Sequence, residues 1–309
     1  MKAVRFHEYG APSVLGYEDA ARPEPAAGQV LIEVAATSFN PVDAGIRAGY
    51  LRQVFPVALP HVPGLDVAGT IVRLGDGVTG WTAGDQVVGF LPMVADGAAA
   101  EFVVAPAEVL AAAPSTIPLT TAAALPAAAL TAWQALFEHA GLRTGQRVLV
   151  NGAGGGVGGF AVQLAAQAGA FVIATASPRS ADAVRAQGAD QIVDYTATTV
   201  TDAIAEPVDV VLNLVAASDT EMAALTALLR PGGVIVTTAT PAAADPDRDV
   251  RAVGMQLRAD AGRLATLAKK VDAGELRVEV SATYPLSQTA TVHEQSAAGL
   301  IRGKVVLTP

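Results

Sequence analysis

The chain has 309 residues, a net charge of −9 and no cysteine, and alanine supplies much of its 51% hydrophobic content. This length predicts two domains, or one domain with a large insertion. The lack of cysteine excludes disulfides, thiol catalysis and cysteine-ligated zinc. An acidic chain without a lysine/arginine block also argues against nucleic acid or an anionic membrane as a partner.

The sequence contains no clear feature of a membrane span, a signal peptide or a metal site. No strongly apolar run reaches the 18 or more residues of a membrane span, and the opening MKAVRFHEYG lacks the apolar core of a signal peptide. We therefore expect a cytoplasmic protein. The four histidines show no paired ligand spacing, so we expect surface or hydrogen-bonded roles for them and no metal site; they are His7, His61, His139 and His293.

The first third of the chain is strand-like. Short β-branched runs are separated by Gly, Pro and Asp; they are KAVRF, QVLIEVAAT, VAGTIVRLG, DQVVGF and AEFVVAP. This punctuation predicts a compact antiparallel barrel or sandwich.

A second pattern begins with an alanine-rich helical segment at residues 111–133, in which Pro126 is a break or a helix start. Apolar strands and helices then alternate, which predicts parallel strands joined by crossover helices. The strands are nearly continuous apolar runs, as in a sheet covered on both faces. The tail returns to short strands around a helix. We therefore predict an α/β protein with one domain at 1–118, completed by 275–309, and a second at 119–274.

Two helices of the second pattern carry clear end signals. In the helix after NGAGGG, Phe160 and Leu164 belong to an apolar stripe, Gln163 is predicted on the polar side, and Gly169 is a C-terminal cap. A later helix is predicted to begin after Asp260 and to end at Gly274.

The stretch NGAGGGVGG lies between a predicted strand and this first helix. Glycines there let backbone N–H groups and a helix N-terminus approach a pyrophosphate. Two registers remain open: Gly154, Gly156 and Gly159 match G-x-G-x-x-G, whereas Gly152, Gly155 and Gly158 match the looser G-x-x-G-x-x-G. A tight turn without a ligand is the alternative.

The end of the next strand bears on the type of dinucleotide. NAD-binding units place an acid about 20 residues downstream to bind the ribose 2′-hydroxyl. Here the chain reads TASPRS, in which Ser177 and Arg179 replace the acid. A guanidinium suits a 2′-phosphate, so the segment predicts NADPH. The alternative is that Arg179 only caps the following helix or is solvated there.

The chain resembles the zinc-free quinone oxidoreductase branch of the medium-chain dehydrogenase/reductase superfamily, which includes zeta-crystallin. The matching blocks, in order, are MKAVRFHEYGAPSVLGYED, SFNPVDAGIRAGY, PHVPGLDVAGTIVRLGDGVTGWTAGDQVVG, LPAAALTAWQAL, NGAGGGVGGFAVQLA, GADQIVDY and RGKVVL. The resemblance implies a GroES-like β-barrel catalytic domain and a Rossmann doubly wound parallel-sheet domain that binds NADP(H).

The same resemblance implies a set of cofactor contacts. In the family register, the phosphate-binding glycines are Gly152, Gly155 and Gly158. Asn40 would lie near the nicotinamide, Thr131 would bond the nicotinamide ribose or the phosphates, and Tyr195 would pack near the adenosine end. The full set implied is Asn40, Thr131, Gly152, Gly155, Gly156, Val157, Gly158, Ser177, Arg179, Tyr195, Leu214, Val215, Thr238, Ala239, Gly303 and Lys304.

Zinc-dependent members of the superfamily carry Cys, His-Glu and Cys or His ligands where this chain reads Asn40-Pro41, Leu65-Asp66 and 127–129 (Ala-Ala-Ala). Such residues cannot form a catalytic zinc site. His61 and Asp66 lie close in sequence, but we expect no metal there.

The chemistry that remains is hydride transfer from NADPH to a quinone or an α,β-unsaturated carbonyl. Tyr50 is the candidate proton donor or substrate contact, with ordinary packing as the alternative, and Asp43 is expected to hydrogen-bond local backbone. Two alternatives stay open: a pathway-specific enoyl reductase, and a non-catalytic, crystallin-like NADPH-binding protein. The resemblance also implies a homodimer, for which RAVGMQL is the candidate edge strand.

Overall fold

The computed structural model describes the whole chain, residues 1–309. In chain order its strands and helices are β1 (Lys2–Arg5), β2 (Gly16–Asp19), β3 (Gln29–Ser38), α1 (Pro41–Arg47), β4 (Asp66–Leu74), β5 (Gln86–Phe90), β6 (Phe102–Pro106), β7 (Leu110–Ala112), α2 (Leu119–Ala122), α3 (Pro126–Trp133), β8 (Arg147–Asn151), α4 (Gly156–Gln167), β9 (Phe171–Ala176), α5 (Ala181–Ala186), β10 (Gln191–Asp194), β11 (Val208–Asn213), α6 (Asp219–Ala227), β12 (Leu229–Thr237), β13 (Arg251–Gly254), α7 (Ala261–Asp272), β14 (Val280–Pro285), α8 (Thr289–Ala297) and β15 (Lys304–Thr308). No helix combines the length and the apolar composition needed to cross a lipid bilayer.

The chain divides into two compact units. Unit 1 comprises Met1–Leu130 and Ala259–Pro309, and unit 2 comprises Thr131–Arg258. These limits differ from the predicted 118/119 and 274/275, because α2 packs on β3 and β4, and α7 packs on β7, all of which are strands of unit 1. Asp272 at the end of α7 also accepts backbone N–H bonds from Ser115 at 2.7 Å and Thr116 at 2.9 Å. Sequence periodicity cannot reveal this attachment, because both domains use the same kind of amphipathic helix.

Unit 1 is the predicted antiparallel domain. Its seven-stranded sheet has the order β14-β15-β3-β4-β5-β7, with β6 also paired to β3. The chain end completes this sheet, since β15 pairs antiparallel with β3 at Val306 and Ser38. Alternate residues of β3, among them Ile32 and Val34, enter a core with Val67 and Ile71 of β4, as expected for a strand whose two faces differ.

Unit 2 is the predicted parallel domain. Its six strands have the order β10-β9-β8-β11-β12-β13, and all adjacent pairs are parallel. Numbered from β8, this is the doubly wound order 3-2-1-4-5-6 of dinucleotide-binding sheets. The fully buried β11 lies at its centre. The order places the carboxyl ends of β8, β9, β11 and β12 along one edge of the sheet.

Most of the predicted helix ends are observed. Pro126 begins α3, and Asp260 accepts the Arg263 N–H at 2.8 Å as the N-cap of α7. Gly169 and Gly274 have positive φ angles of 74° and 72°, the left-handed geometry of a C-terminal cap.

The predicted side of Gln163 was wrong. Its side chain is buried, and its amide donates to the Gly159 carbonyl at 3.1 Å. Because this local hydrogen bond satisfies the amide within the helix, a polar residue can occupy a buried position of α4.

Candidate functional site

The glycine stretch forms a sharp turn between β8 and α4. Gly152 has a φ angle of 97°, which favours glycine, and its N–H donates to Thr175 Oγ1 at 2.8 Å. Gly155 closes the turn by donating to the Gly152 carbonyl at 3.1 Å. Gly155 is the N-cap of α4 and contributes no capping side chain, so the helix N-terminus is bare.

Close packing distinguishes the two glycine registers. A Cβ on Gly158 would lie 2.3 Å from the Gly152 carbonyl oxygen and 2.6 Å from Ala153 Cα, both backbone atoms that cannot move aside. A Cβ on Gly159 would instead meet the flexible end of Gln187, 3.1 Å from its Nε2. The geometry therefore favours Gly152, Gly155 and Gly158 as turn, cap and close-packing glycines.

The bare helix N-terminus has the properties of an anion site. The first helical hydrogen bond of α4 is donated by Gly159 to Gly155 at 3.1 Å, so the N–H groups of Gly156, Val157 and Gly158 precede it and lack helical acceptors. These N–H groups and the helix dipole favour a negative charge at this point. The residues present thus fit a pyrophosphate group.

A polar network that the sequence reading missed joins three strand ends beside this turn. Thr175 Oγ1 donates to Asn151 Oδ1 at 3.0 Å, and Asn151 Nδ2 donates to Asn213 Oδ1 at 2.8 Å. Asn213 Nδ2 then donates to the Val215 carbonyl at 2.8 Å. The available signal was a polar residue at the end of β8 and of β11 and next to the end of β9. The network holds the glycine turn and the segment after β11 together.

The predicted 2′-phosphate residues follow β9. Ser177 is buried and Arg179 is exposed, and the turn between them closes when the Ser180 N–H donates to the Ser177 carbonyl at 2.9 Å. The nearest following acid, Asp182, lies in the first turn of α5 and forms a salt bridge with Arg185 at 3.0 Å. The turn itself therefore presents a hydroxyl and a guanidinium, and no carboxylate, at the strand end.

Most other predicted contacts of unit 2 also follow strand ends. The Leu214 N–H donates to the Asn151 carbonyl at 2.9 Å and the Thr238 N–H to the Asn213 carbonyl at 3.2 Å. The remaining predicted residues of this unit are Val215, next to the glycine turn, Ala239 after β12, Tyr195 after β10, and Thr131 in α3. Only Thr131 does not follow a strand end of the sheet.

Unit 1 brings two of its predicted contacts together, Asn40 and Lys304. The Lys304 ammonium donates to Asn40 Oδ1 at 2.9 Å and to Asp66 Oδ2 at 3.1 Å. Asn40 Nδ2 donates to the same Asp66 oxygen at 2.9 Å and to the Ser38 carbonyl at 3.3 Å. The orientation of the Asn40 amide is therefore determined by its neighbours.

Asp66, which was not predicted as a site residue, is the centre of this cluster. Its side chain is fully buried. Oδ2 also accepts a short hydrogen bond from the Ser38 hydroxyl, and Oδ1 accepts the Ala127 N–H at 2.7 Å. The cluster joins the three stretches that would correspond to zinc ligands, and it holds one carboxylate, one amide and one ammonium. An ammonium bonded to the only carboxylate does not form a zinc-binding set.

The other predicted residues of unit 1 are not members of the hydrogen-bonded cluster. Gly303 precedes Lys304 with a positive φ angle of 64°. The Tyr50 side chain is 87% exposed, and its hydroxyl has no hydrogen-bond partner in the structure. His61 Nδ1 lies 3.5 Å from the Asp96 carboxylate.

Asp43 has the predicted local role. Its carboxyl accepts the N–H groups of Asn40 at 2.9 Å and Gly64 at 3.2 Å. Burial nevertheless raises its pKa to about 7. His293 departs from the expected surface or hydrogen-bonded role, because it is buried and its Nδ1 has no partner. Burial lowers the pKa of His293 to about 3, with a smaller contribution from the Arg47 charge.

Two protein families match this chain, one in its N-terminal part and one in its C-terminal part. Residues 26–115 match the alcohol dehydrogenase GroES-like domain. Residues 187–307 match the family described as zinc-binding dehydrogenase.

Relatives agree with these matches. The mouse quinone oxidoreductase is 33% identical, over 99% of this chain and 97% of its own length. The chloroplast envelope quinone oxidoreductase homolog of Arabidopsis thaliana is 41% identical over 201 residues, which are 63% of this chain and 61% of that protein. The chain thus matches about three fifths of the length of this chloroplast relative.

Solved structures share the whole fold. The quinone oxidoreductase of Coxiella burnetii superposes with a TM-score of 0.92 at 34% identity, over 100% of this chain and 99% of that one. An NAD-dependent alcohol dehydrogenase gives a TM-score of 0.91 at 29% identity, and a mycobacterial protein complexed with NADPH gives 0.87 at 29%; both matches cover 100% of each chain. With the predicted motifs, the fold and a relative matched end to end, this chain belongs to the medium-chain dehydrogenase/reductase superfamily, in its zinc-free quinone oxidoreductase branch.

Proposed function

We propose that this protein is an NADPH-dependent, zinc-independent oxidoreductase that transfers hydride to a quinone or to an α,β-unsaturated carbonyl. One observation carries the cofactor part: a glycine turn with a bare helix N-terminus lies beside a strand end that presents Ser177 and Arg179 in place of an acid. A solved relative contains NADPH and another is named NAD-dependent. The choice of NADPH therefore depends on the residues of this chain.

Each group of residues has a separate role in the proposal. The N–H groups of Gly156, Val157 and Gly158 would bind the pyrophosphate, and Ser177 and Arg179 would bind the 2′-phosphate. Bound NADPH supplies the hydride. Leu214, Val215, Thr238, Ala239, Tyr195 and Thr131 would line the cofactor, with Asn40, Gly303 and Lys304 at its nicotinamide end.

The acceptor follows from what the site lacks. Without a metal ligand set, the residues of the cluster around Asp66 do not polarise an alcohol for hydride loss. Electron-poor acceptors such as quinones and enones need less assistance, and quinone oxidoreductases of mouse and Coxiella burnetii are similar to this chain. The alternative enoyl reductase would share this cofactor but reduce a different acceptor. The alternative non-catalytic protein would bind NADPH and reduce no acceptor. Tyr50 stays a candidate proton donor or substrate contact.

Assembly and location are also proposals. We propose a homodimer through β13, because this strand forms one edge of the sheet of unit 2 and its ends, Arg251 and Gly254, are exposed. An unpaired edge strand can pair with a second copy. A cytoplasmic location stays a prediction from the sequence.

The acceptor proposal is tested by steady-state NADPH oxidation with a panel of quinones, simple enones and enoyl thioesters. We expect turnover of quinones or simple enones, unchanged after chelator treatment, and no stoichiometric zinc by metal analysis. Turnover restricted to enoyl thioesters would identify the enoyl reductase. Tight NADPH binding without turnover of any acceptor would identify the non-catalytic protein, and one zinc per chain with chelator-sensitive activity would contradict zinc independence.

Cofactor selectivity is tested with Arg179→Ala. Loss of charge-assisted hydrogen bonds to a phosphate costs about 1.5–3 kcal/mol, which is at least ~10-fold in affinity. We expect the Kd for NADPH to rise by this factor while the Kd for NADH changes less than ~3-fold, measured by cofactor fluorescence. Arg185→Ala is the matched control, since Arg185 is paired with Asp182 on α5. Equal losses for both cofactors would contradict the 2′-phosphate assignment.

A further inference from the structure

The polar network beside the glycine turn is a single chain of hydrogen bonds in which every donor points the same way. It begins at the Gly152 N–H, which donates to Thr175 Oγ1 at 2.8 Å, and continues from the Thr175 hydroxyl to Asn151 Oδ1 at 3.0 Å. Asn151 Nδ2 donates to Asn213 Oδ1 at 2.8 Å, and Asn213 Nδ2 donates to the Val215 carbonyl at 2.8 Å. The chain of hydrogen bonds therefore runs from the backbone of the glycine turn to the backbone after β11.

The two backbone ends fix the orientation of the three side chains between them. The Val215 carbonyl can only accept, so the Asn213 amide must turn its NH2 group toward it and its oxygen toward Asn151. The Gly152 N–H can only donate, so Thr175 Oγ1 must accept there and pass its single proton to Asn151. Reversing any one of these side chains would bring two donors or two acceptors together.

Packing closes this chain of hydrogen bonds into a ring. A Cβ on Gly152 would lie 2.8 Å from Val215 Cγ1, so the segment after β11 touches the turn at which the hydrogen bonds begin. Thr175 and Asn213 are buried, and Asn213 Nδ2 also lies 3.4 Å from Met222 Sδ. Hydrogen bonds that are buried in this way polarise one another and hold their groups in one arrangement.

The position of Gly152 in turn determines where α4 begins. The Gly155 N–H donates to the Gly152 carbonyl at 3.1 Å, and a Cβ on Gly158 would lie 2.3 Å from the same carbonyl oxygen. A rotation of the Gly152 peptide would therefore displace the first turn of α4. The N–H groups of this turn, at residues 156–158, are those that precede the first helical hydrogen bond and suit an anion.

We propose that Thr175, Asn151 and Asn213 are positioning residues for the pyrophosphate of the dinucleotide and act on it through Gly152. This inference rests on the proposed function, because it assumes that the glycine turn binds a dinucleotide. A binding loop that is already ordered binds more tightly, since less conformational freedom is lost on binding. The pyrophosphate is common to NADPH and NADH, so the network should contribute equally to the binding of both, unlike Arg179.

The inference is tested by two substitutions of Thr175. Thr175→Val keeps a branched side chain but removes the hydroxyl, whereas Thr175→Ser keeps the hydroxyl. Since a neutral hydrogen bond is worth up to about tenfold in an equilibrium constant, we expect Thr175→Val to raise the Kd of both NADPH and NADH by about 5- to 10-fold. Thr175→Ser should restore most of this affinity. Cofactor fluorescence titration measures all four changes.

Thr289→Val is the matched control. Thr175 and Thr289 are both 2% exposed, and the Thr289 hydroxyl donates to the Leu286 carbonyl at 2.7 Å in unit 1. Both valine variants lose one buried hydroxyl, so we expect similar falls in Tm but a higher Kd only for Thr175→Val. An unchanged Kd in Thr175→Val, an equal rise in Thr289→Val, or a loss confined to one of the two dinucleotides would overturn the inference.

A second measurement needs no dinucleotide and separates this inference from the proposed function. Amide hydrogen exchange at Gly152, followed by NMR on the cofactor-free chain, should be about 5- to 10-fold faster in Asn213→Leu than in wild type, although Asn213 does not bond the Gly152 N–H itself. Unchanged exchange would overturn the positioning role whatever the protein binds. Faster exchange in Asn213→Leu, combined with wild-type protein that binds neither dinucleotide, would contradict the proposed function and with it the role at a pyrophosphate.

Discussion

Replacing Lys304 with methionine is expected to lower the free energy of unfolding by about 3–5 kcal/mol, because the variant leaves the Asp66 carboxylate buried without its cation. Lys304 donates three hydrogen bonds in the structure, to the Phe39 carbonyl at 3.2 Å, to Asn40 at 2.9 Å and to Asp66 at 3.1 Å. Both charged side chains are 5% exposed or less. Denaturant unfolding followed by circular dichroism measures the loss.

A double variant separates the destabilisation caused by the unpaired Asp66 charge from that caused by the lost packing of the Lys304 side chain. Asp66→Asn combined with Lys304→Met removes both charges, and we expect it to recover at least half of the loss. The matched control is Lys2→Met, whose salt bridge with Asp19 is largely exposed and should contribute at most about 1 kcal/mol. If Lys304→Met costs no more than Lys2→Met, the cluster around Asp66 does not stabilise unit 1 as described.

Replacing Gly158 with alanine is expected to destabilise unit 2 by about 3 kcal/mol or more and to abolish dinucleotide binding. The new Cβ would lie 2.3 Å from the Gly152 carbonyl oxygen, so α4 must move away from β8. Overpacking against side chains usually costs 1–3 kcal/mol, and backbone atoms yield less readily than side chains. Thermal unfolding and NADPH fluorescence titration together measure the two effects.

Gly159→Ala is the control for this variant, since it adds the same methyl group one residue later in the same helix. Its Cβ meets only the flexible end of Gln187 at 3.1 Å, and alanine favours the helix by about 1 kcal/mol over glycine. We expect stability within about 1 kcal/mol of wild type and retained binding. The opposite ranking of the two variants would support the register of Gly154, Gly156 and Gly159.

The sequence predicted much of the geometry of the glycine turn and of the helix start that follows it. The order of strand, glycines and helix is local, and the positive φ of Gly152 and the bare N-terminus of α4 follow from residues adjacent in the chain. The absence of an acid after β9 can likewise be recognised in the sequence, because the number of residues between the glycines and the end of the second strand is nearly constant in this type of fold. Alternation of apolar strands and helices also predicted the parallel sheet, since period and length reflect burial directly.

The cluster around Asp66 could not be predicted in the same way. Its members, Ser38, Asn40, Asp66, Ala127 and Lys304, come from segments up to 266 residues apart, and no local pattern connects them. Asn40 and Lys304 were inferred only through the family resemblance, and Asp66 was passed over as a missing zinc ligand. Its role depends on which donors surround it after β15 has paired with β3.

The sequence by itself thus determined the two kinds of sheet, the glycine turn and the lack of a zinc ligand set, because these depend on residue type and on short spacings. Only the tertiary structure decided that α7 belongs to unit 1, that Gly158 packs against the turn after β8, and that Asp66, Asp43 and His293 are buried. Burial and hydrogen-bond partners arise from long-range packing, so they are properties of the folded chain and not of any segment of it.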